Sequence, residues 1–404
     1  MDPQTRRRWL ATCVGTGVAG LAGCTSRGGD DSDSSDDRSD DGIQTDDSDD
    51  VPLDIGDETD EPAPDEWLMT GVDLENTGYH PTASGPTGDV SERWTFEIGK
   101  RVVSNPMVVN DIVYCSFENE KLYGVDIESG QEVFSADHGI GFFTATPTVD
   151  KYHIYGPSLK QIQAIDIETG EEKWRSGIDE FEAVGGPKLA NDTIYTNCED
   201  GQIVGINLEE GEINWQHEIS GRGSNSLSII NGNIYATAVP AKLYAINIPN
   251  NDRLWEQELD GTSMGIAADE DTVYIGVQDG QAILAYDGGT GDQLWEQKFD
   301  GEVHSSISLS EGKIVARVED KIVAVSKENG SVMWDVDNKG VRSNLSIADG
   351  IVYTRSNIGV SAFELESGNL AWEYEIEGVV TTTPTVVSGY LFVGDDDGYL
   401  HALN

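Results

Sequence analysis

The amino-acid sequence predicts an all-β protein: an eight-bladed β-propeller of four-stranded antiparallel blades, with the last blade closed by the N-terminal strand. Three observations carry this. First, strings of the form "AIDIETGEEKW" (164–174) recur about every 40 residues. Second, an aromatic residue closes each unit, at Trp94, Phe134, Trp174, Trp215, Trp255, Trp295, Trp334 and Trp372, with gaps of 40, 40, 41, 40, 40, 39 and 38. Third, the two chain ends hold complementary fragments of one unit. A fixed period of this length marks a repeat architecture, and four short strands in that span make a propeller blade.

Residues 1–24 read as an export signal. Arg6 and Arg7, followed by Trp9-Leu10, resemble a twin-arginine leader. The apolar stretch behind them is too short and Gly-rich for a stable membrane-spanning helix. It ends in "LAGC" (21–24), a small-residue box that makes Cys24 the expected lipid-attachment residue. A plain signal peptide with an incidental cysteine is the alternative. Residues 25–66 read as a disordered acidic linker. Positions 28–66 hold 18 acidic residues and one Arg, with too few apolar side chains to bury a core. This linker is expected to be either a stalk holding the next domain off the outer face of the cell membrane or a solvating tail.

Residues 67–404 form the expected propeller. In "NPMVVNDIVYCSFENEKLYGVDIESGQEVFS" (105–135) an apolar run meets the turn pair Asn110-Asp111. "IVYCSF", "KLYGVDI" and "QEVFS" follow as strands separated by further turns. The Gly of the last turn sits where a tight hairpin needs positive φ, and Asn251 replaces it in the fourth repeat. The closing aromatics are expected to anchor neighbouring blades, each contributing roughly 2–3 kcal/mol by area burial. The chain ends on "LHALN", which aligns with "LYAIN" (243–247), the third strand of a unit. The missing fourth strand is "RWTFEIG" (93–99), so both termini are expected to build the eighth blade.

The formal net charge is −49, and removing the leader and the linker leaves −35 on residues 67–404. That excludes a nucleic-acid surface, which would be basic. With 12 Lys in the chain, the balance points to the high-salt solvation of a halophilic archaeon, or else to an acidic secreted protein. Cys115 and Cys198 lie two repeats apart and read as small buried residues, not a disulfide or metal pair. The six His residues have no metal-ligand spacing, and no nucleophile elbow or phosphate loop is present. No metal and no cofactor are therefore expected. "GDDDG" (394–398) reads as a polar turn in preference to a calcium loop. Of three glycosylation sequons, Asn191 and Asn329 fall in turns, whereas Asn344 opens an inner strand.

The string Ala-x-Asp-x-x-Thr-Gly-x-x-x-Trp, complete at 164–174 and nearly so at 285–295, resembles the tryptophan-docking motif of PQQ-like (pyrroloquinoline quinone) β-propeller repeats. "DLENTGYHPT" (73–82) is similar to the opening segment of such proteins, and the resemblance spans 67–404. It implies two function classes. In the quinoprotein dehydrogenases a PQQ lies over the channel beneath a disulfide of adjacent Cys residues, with Ca²⁺ and an Asp base. No adjacent Cys pair occurs here, and no calcium or base set can be assigned. The expectation is therefore the non-enzymatic branch, resembling the propeller lipoprotein of the bacterial outer-membrane assembly machinery. That branch implies a monomeric binding or assembly scaffold. The alternative is a PQQ-dependent dehydrogenase or a PQQ-binding sensor.

Propellers bind at the loops around the channel mouth. Arg101, Arg222 and Arg342 lie in the loops before the first, fourth and seventh innermost strands, and His304 lies in the sixth. Together they could form a cationic spot for a protein partner or anionic ligand. Pairing of each Arg with an acid such as Glu302 or Glu182 is the competing expectation.

Overall fold

The computed structural model describes residues 66–137, 145–158, 161–177, 183–339 and 344–404. Arg6, Arg7, Cys24 and the linker up to residue 65 lie outside the described residues, as does Arg342. The described strands belong to the unit Pro52–Asn404, and no helix occurs among the described residues.

Eight antiparallel four-stranded sheets follow one another as blades of a propeller. Blades 1 to 7 span 107–137, 148–177, 183–218, 222–258, 263–298, 308–337 and 346–375. The eighth joins 92–97 to 385–403, which confirms the closure expected from the two chain ends. The second and third strands are buried on both faces, as in Ile112–Phe117 and Lys121–Asp126, which is why they read as continuous apolar runs rather than alternating ones.

The repeated string is the hairpin between the third and fourth strands. A register shift falls immediately before each closing aromatic, for example between Glu172 and Trp174. Such a bulge turns the strand and re-aims one side chain. The ring then lies on the corresponding hairpin of the next blade. Trp174 donates its Nε1–H to Leu208 O at 2.7 Å, and a Cβ on Gly211, whose φ is +72°, would come within 2.6 Å of the indole. Gly is therefore required there twice over, by backbone conformation and by the approach of the ring. Trp94, Trp215, Trp255, Trp295 and Trp334 repeat the bond, to Ile127, Ile248, Gly288, Lys327 and Leu365 carbonyls. Phe134 fills the same place without a donor, packing against Tyr114. Trp372 donates instead to Pro86 O at 2.8 Å, so the segment before the closing strand replaces the hairpin that blade 8 lacks.

One feature of the N-terminal segment was not expected from the sequence. Residues 67–84 run around the inside of the ring and bond to all eight blades in order. Trp67 exchanges both backbone bonds with Val108, at 2.7 and 2.9 Å, and Leu68 O accepts from Val149 N. Lys188 of blade 3 donates to Thr70 O and Asp73 O, both at 2.6 Å, and to Asn76 Oδ1 at 3.1 Å. The carbonyls of Leu74, Glu75, Thr77 and Gly78 accept from Ile229, Ala268, Leu309 and Ile347. Tyr79–His80 adds a short parallel strand to blade 7, and Ser84 O accepts from Gly389 N. These contacts reach the last residues of the innermost strands, beside the turns that lead into the second strands. Those turns are bonded to the third-to-fourth hairpins, as in Ile127 N to Asp111 O. The strap thus floors the channel on the hairpin side. The loops preceding the innermost strands stand at the other, open side.

Candidate functional site: the open mouth and its cup

The strap turns the channel into a cup. A recess of about 470 Å³, including its open solvent, is lined by Trp67, Met69 and Thr70 from the strap. Asn105, Thr146, Ser306, Asn344 and Thr383 line it from two residues before the innermost strands begin. These residues occupy equivalent positions in their blades and tie them together. Thr383 N donates to Asn105 Oδ1 at 2.8 Å, Asn105 N to Thr146 Oγ1 at 3.2 Å, and Ser306 N to Asn344 Oδ1 at 3.0 Å. Two residues on, the hydroxyls of Thr148, Ser308, Ser346 and Thr385 donate to a carbonyl of the next blade. Short polar side chains at these places follow from geometry, since converging strands leave room for little else. The Thr70 hydroxyl is buried in the cup wall with no partner among the described residues.

No lining residue carries a charge. A PQQ has three carboxylates and works with Ca²⁺, which asks for cations and carboxylate ligands together. Among the described residues no group of three or more His, Cys, Asp or Glu is placed to hold a metal. The donor set of the cup therefore does not fit that pair.

The mouth residues singled out in the sequence fall as follows. Arg101 pairs with Glu118 at 3.8 Å and Arg222 with Glu199 at 3.2 Å; the Arg side chains are 52% and 57% exposed. The pairing expectation describes both, although the acids come from the ends of second strands and are not Glu302 or Glu182. His304 is 10% exposed and stands 3.8 Å from Glu302 and 3.5 Å from Glu319, so its surroundings are anionic.

Two further cations at this end were missed. Arg317 is fully buried and donates to Asn338 O, Asn338 Oδ1, Thr354 Oγ1 and Arg355 O. Arg355 donates to Val380 O at 2.8 Å. Burial first, and then a neighbouring guanidinium, pulls each down to about 10, with Arg355 acting on Arg317 and Arg101 acting on Arg355. Both bridge one blade to the next beneath the mouth. The signal was available in "IVARV" (314–318) and "IVYTRS" (351–356), where a charge interrupts a strand that is otherwise buried on both faces.

Cys115 and Cys198 are buried and free, and burial pushes both thiols well above their ordinary range. In "GDDDG" the Asp395 carboxylate accepts from Gly398 N and Tyr399 N, each at 2.8 Å, as a turn does. Asn344 Oδ1 is engaged with Ser306 N, whereas Asn191 stands exposed in a turn at φ 51°.

The family described as outer membrane protein assembly factor BamB matches residues 85–287, 263–378 and 318–404. A curated protein of that name from Burkholderia pseudomallei (strain K96243) is 28% identical over 134 residues, 33% of this chain; the match spans 35% of that relative's length. Among solved structures, BamB from Moraxella catarrhalis has a TM-score of 0.64 at 13% identity, covering 78% of this chain and 99% of that one. The quinohemoprotein alcohol dehydrogenase ADHIIG from Pseudomonas putida HK5 has a TM-score of 0.70 at 12% identity, covering 84% and 80%. At such identities the two structures establish a shared fold and nothing more.

Proposed function

Because the chain belongs to the family described as outer membrane protein assembly factor BamB, we propose that it is an exported, lipid-anchored binding or assembly scaffold without redox chemistry. Cys24 carries the anchor, and the acidic linker holds the propeller off the outer face of the cell membrane. The observation that supports this reading best is the cup. It is floored on one side by the strap and lined by neutral side chains, so a partner meets the channel only from the mouth. Arg101, Arg222 and His304 are the mouth groups offered for binding, with Arg342 added from its loop position in the sequence alone, and a protein partner or anionic ligand would engage the first three by displacing Glu118, Glu199 and the acids beside His304.

The rival reading is a PQQ-dependent dehydrogenase or PQQ sensor, favoured by the likeness to quinohemoprotein dehydrogenases. The charge-free cup lining speaks against it. Adding PQQ with Ca²⁺ decides between them. A ligand at a hundredfold excess over its dissociation constant stabilises by about 2.7 kcal/mol, visible as a shifted thermal midpoint. The scaffold reading predicts no shift and no dye-linked alcohol oxidation; a shift with turnover would replace it with the enzyme.

The mouth is tested by changing Arg101, Arg222 and Arg342 together to Ala, with Arg93, Arg175 and Arg253 changed as a control set. Selective loss of partner recovery from native membranes is the expected outcome. Equal recovery from both sets would move the binding face elsewhere. Cys24→Ser should release the protein into the medium.

A further inference from the structure

Blade 8 is the only blade assembled from both chain ends, so its outermost strand is held by no hairpin. Two polar side chains of the C-terminal strand span this seam, Tyr399 reaching Glu97 and His401 reaching Glu92. His401, on the C-terminal strand, is 10% exposed. Its Nδ1 lies 3.0 Å from Glu92 Oε2 on the N-terminal strand, and its Nε2 lies 3.0 Å from Asp395 Oδ2, where the second strand ends. A carboxylate only accepts. Both contacts are therefore hydrogen bonds only if both ring nitrogens carry protons, so the geometry calls for an imidazolium. The corresponding positions in blades 1 and 4 hold Tyr123 and Tyr244, opposite Ser135 and Glu256. No other blade has a titratable imidazole at this place.

We propose that His401 is a pH-dependent latch on the ring, clamping the N-terminal strand to the C-terminal strand when protonated and releasing it when neutral. The groups around the imidazole agree. Glu92 faces it from the N-terminal strand and Asp395 from the adjoining turn. Tyr399, two residues away on its own strand, packs at 6.0 Å between ring centroids and has its hydroxyl tied to Glu97. Burial alone would lower the imidazole below its ordinary 6.5, but the hydrogen bonds and charges of Asp395 and Glu92 outweigh burial and raise it. Asp395 is lowered in return: burial opposes this, but the His401 bond and two backbone N–H groups prevail.

A raised imidazole stabilises the fold fully below its unfolded value, and that contribution is lost as pH rises through the folded value. The Asp395 contribution is lost at the other end, as pH falls through its lowered value. The seam is thus tightest between these limits and loosens toward alkaline pH, while the hairpin-closed blades have no such dependence at this position.

The full-length protein and His401→Tyr, which installs the side chain used in blades 1 and 4, provide the test. The His401 ring should titrate, by NMR of the wild-type protein, above the ordinary imidazole value. The thermal midpoint of the wild type should exceed that of His401→Tyr by roughly 2 °C or more near pH 6. That difference should disappear as pH passes the measured His401 value. Glu92→Gln should lower the His401 titration toward the ordinary value. An imidazole that titrates at or below the ordinary value overturns the latch, and the wild-type measurement decides this even if a variant fails to fold. Parallel midpoint profiles for wild type and His401→Tyr overturn it equally.

Discussion

Blades 1 to 7 and blade 8 use the same contacts but assemble them differently. In blade 3, Gly205 pairs with Trp215 through a hairpin, the two about ten residues apart in the chain, and Trp215 docks on the turn at Ile248. In blade 8, Trp94 pairs with Ala402, and Trp372 docks on Pro86, across most of the chain. The side chains do equal work in both places, but the entropy of bringing the parts together differs. A hairpin closes a short loop, whereas the seam closes only after the other blades exist. The strap shares this character, because it can bind its eight inner strands only once they form a ring. The seam and the strap are therefore where the fold is most dependent on its own completion.

The largest effect follows from removing both. A chain beginning at Gly99 lacks the strap and Trp94 and leaves blade 8 open along Tyr399–Leu403. It should lose its cooperative thermal transition, whereas a chain beginning at Glu66 should unfold like the full-length protein. Equal transitions would erase the distinction between seam and hairpins.

Next is Lys188→Met. Lys188 is 1% exposed and bonds the strap at three points, and burial pulls its ammonium down to about 8 against the opposing charges of Asp73 and Glu75. Removing it strands two buried carbonyls and the Asn76 amide oxygen. Denaturant titration should show a loss of about 3–5 kcal/mol. A loss under 1 kcal/mol would mean the strap is held by backbone bonds alone.

Smaller still is the indole bond. Trp372→Phe at the seam and Trp215→Phe at a hairpin each remove one Nε1–H to carbonyl bond, of 2.8 and 3.1 Å. Each should cost about 1 kcal/mol. A much greater loss at Trp372 would show that Pro86 does more than stand in for a hairpin. The smallest change is a gain. Phe134→Trp places a donor near the Ile167 carbonyl, the equivalent of the acceptor used in the other blades, and should stabilise by up to about 1 kcal/mol. No gain would mark the Phe site as too tight for an indole.

The difference between the regions also explains what could be read from the sequence. The hairpins were legible because each repeats the same residues at the same spacing, and eight aromatics average out local noise. The fragments at 93–99 and 400–404 were legible by subtraction, as the two halves of one missing unit. The strap was not. Apart from Lys188, Asn76 and Ser228, it bonds mostly through backbone carbonyls, which leave no mark on residue identity. "DLENTGYHPT" showed only a likeness to an opening segment. At the mouth, Arg101 lies in the loop where the sequence put it, whereas Arg222 is the first residue of the innermost strand of its blade. Their partners Glu118 and Glu199 were not legible, because those acids sit in a different hairpin whose approach depends on the folded blade. His401 was passed over as one of six scattered histidines, since the two carboxylates that give it meaning are 6 and 309 residues away.

Native-state hydrogen exchange tests the central claim most directly. The amides of Glu92–Glu97, bonded only to the C-terminal strand, are compared with those of Asp252–Glu258, the outermost strand of hairpin-closed blade 4. If the seam closes last and opens first, its amides should exchange through an opening of lower free energy than the blade 4 strand, well below that of global unfolding. Equal protection of the two strands, both exchanging only by global unfolding, would contradict the account.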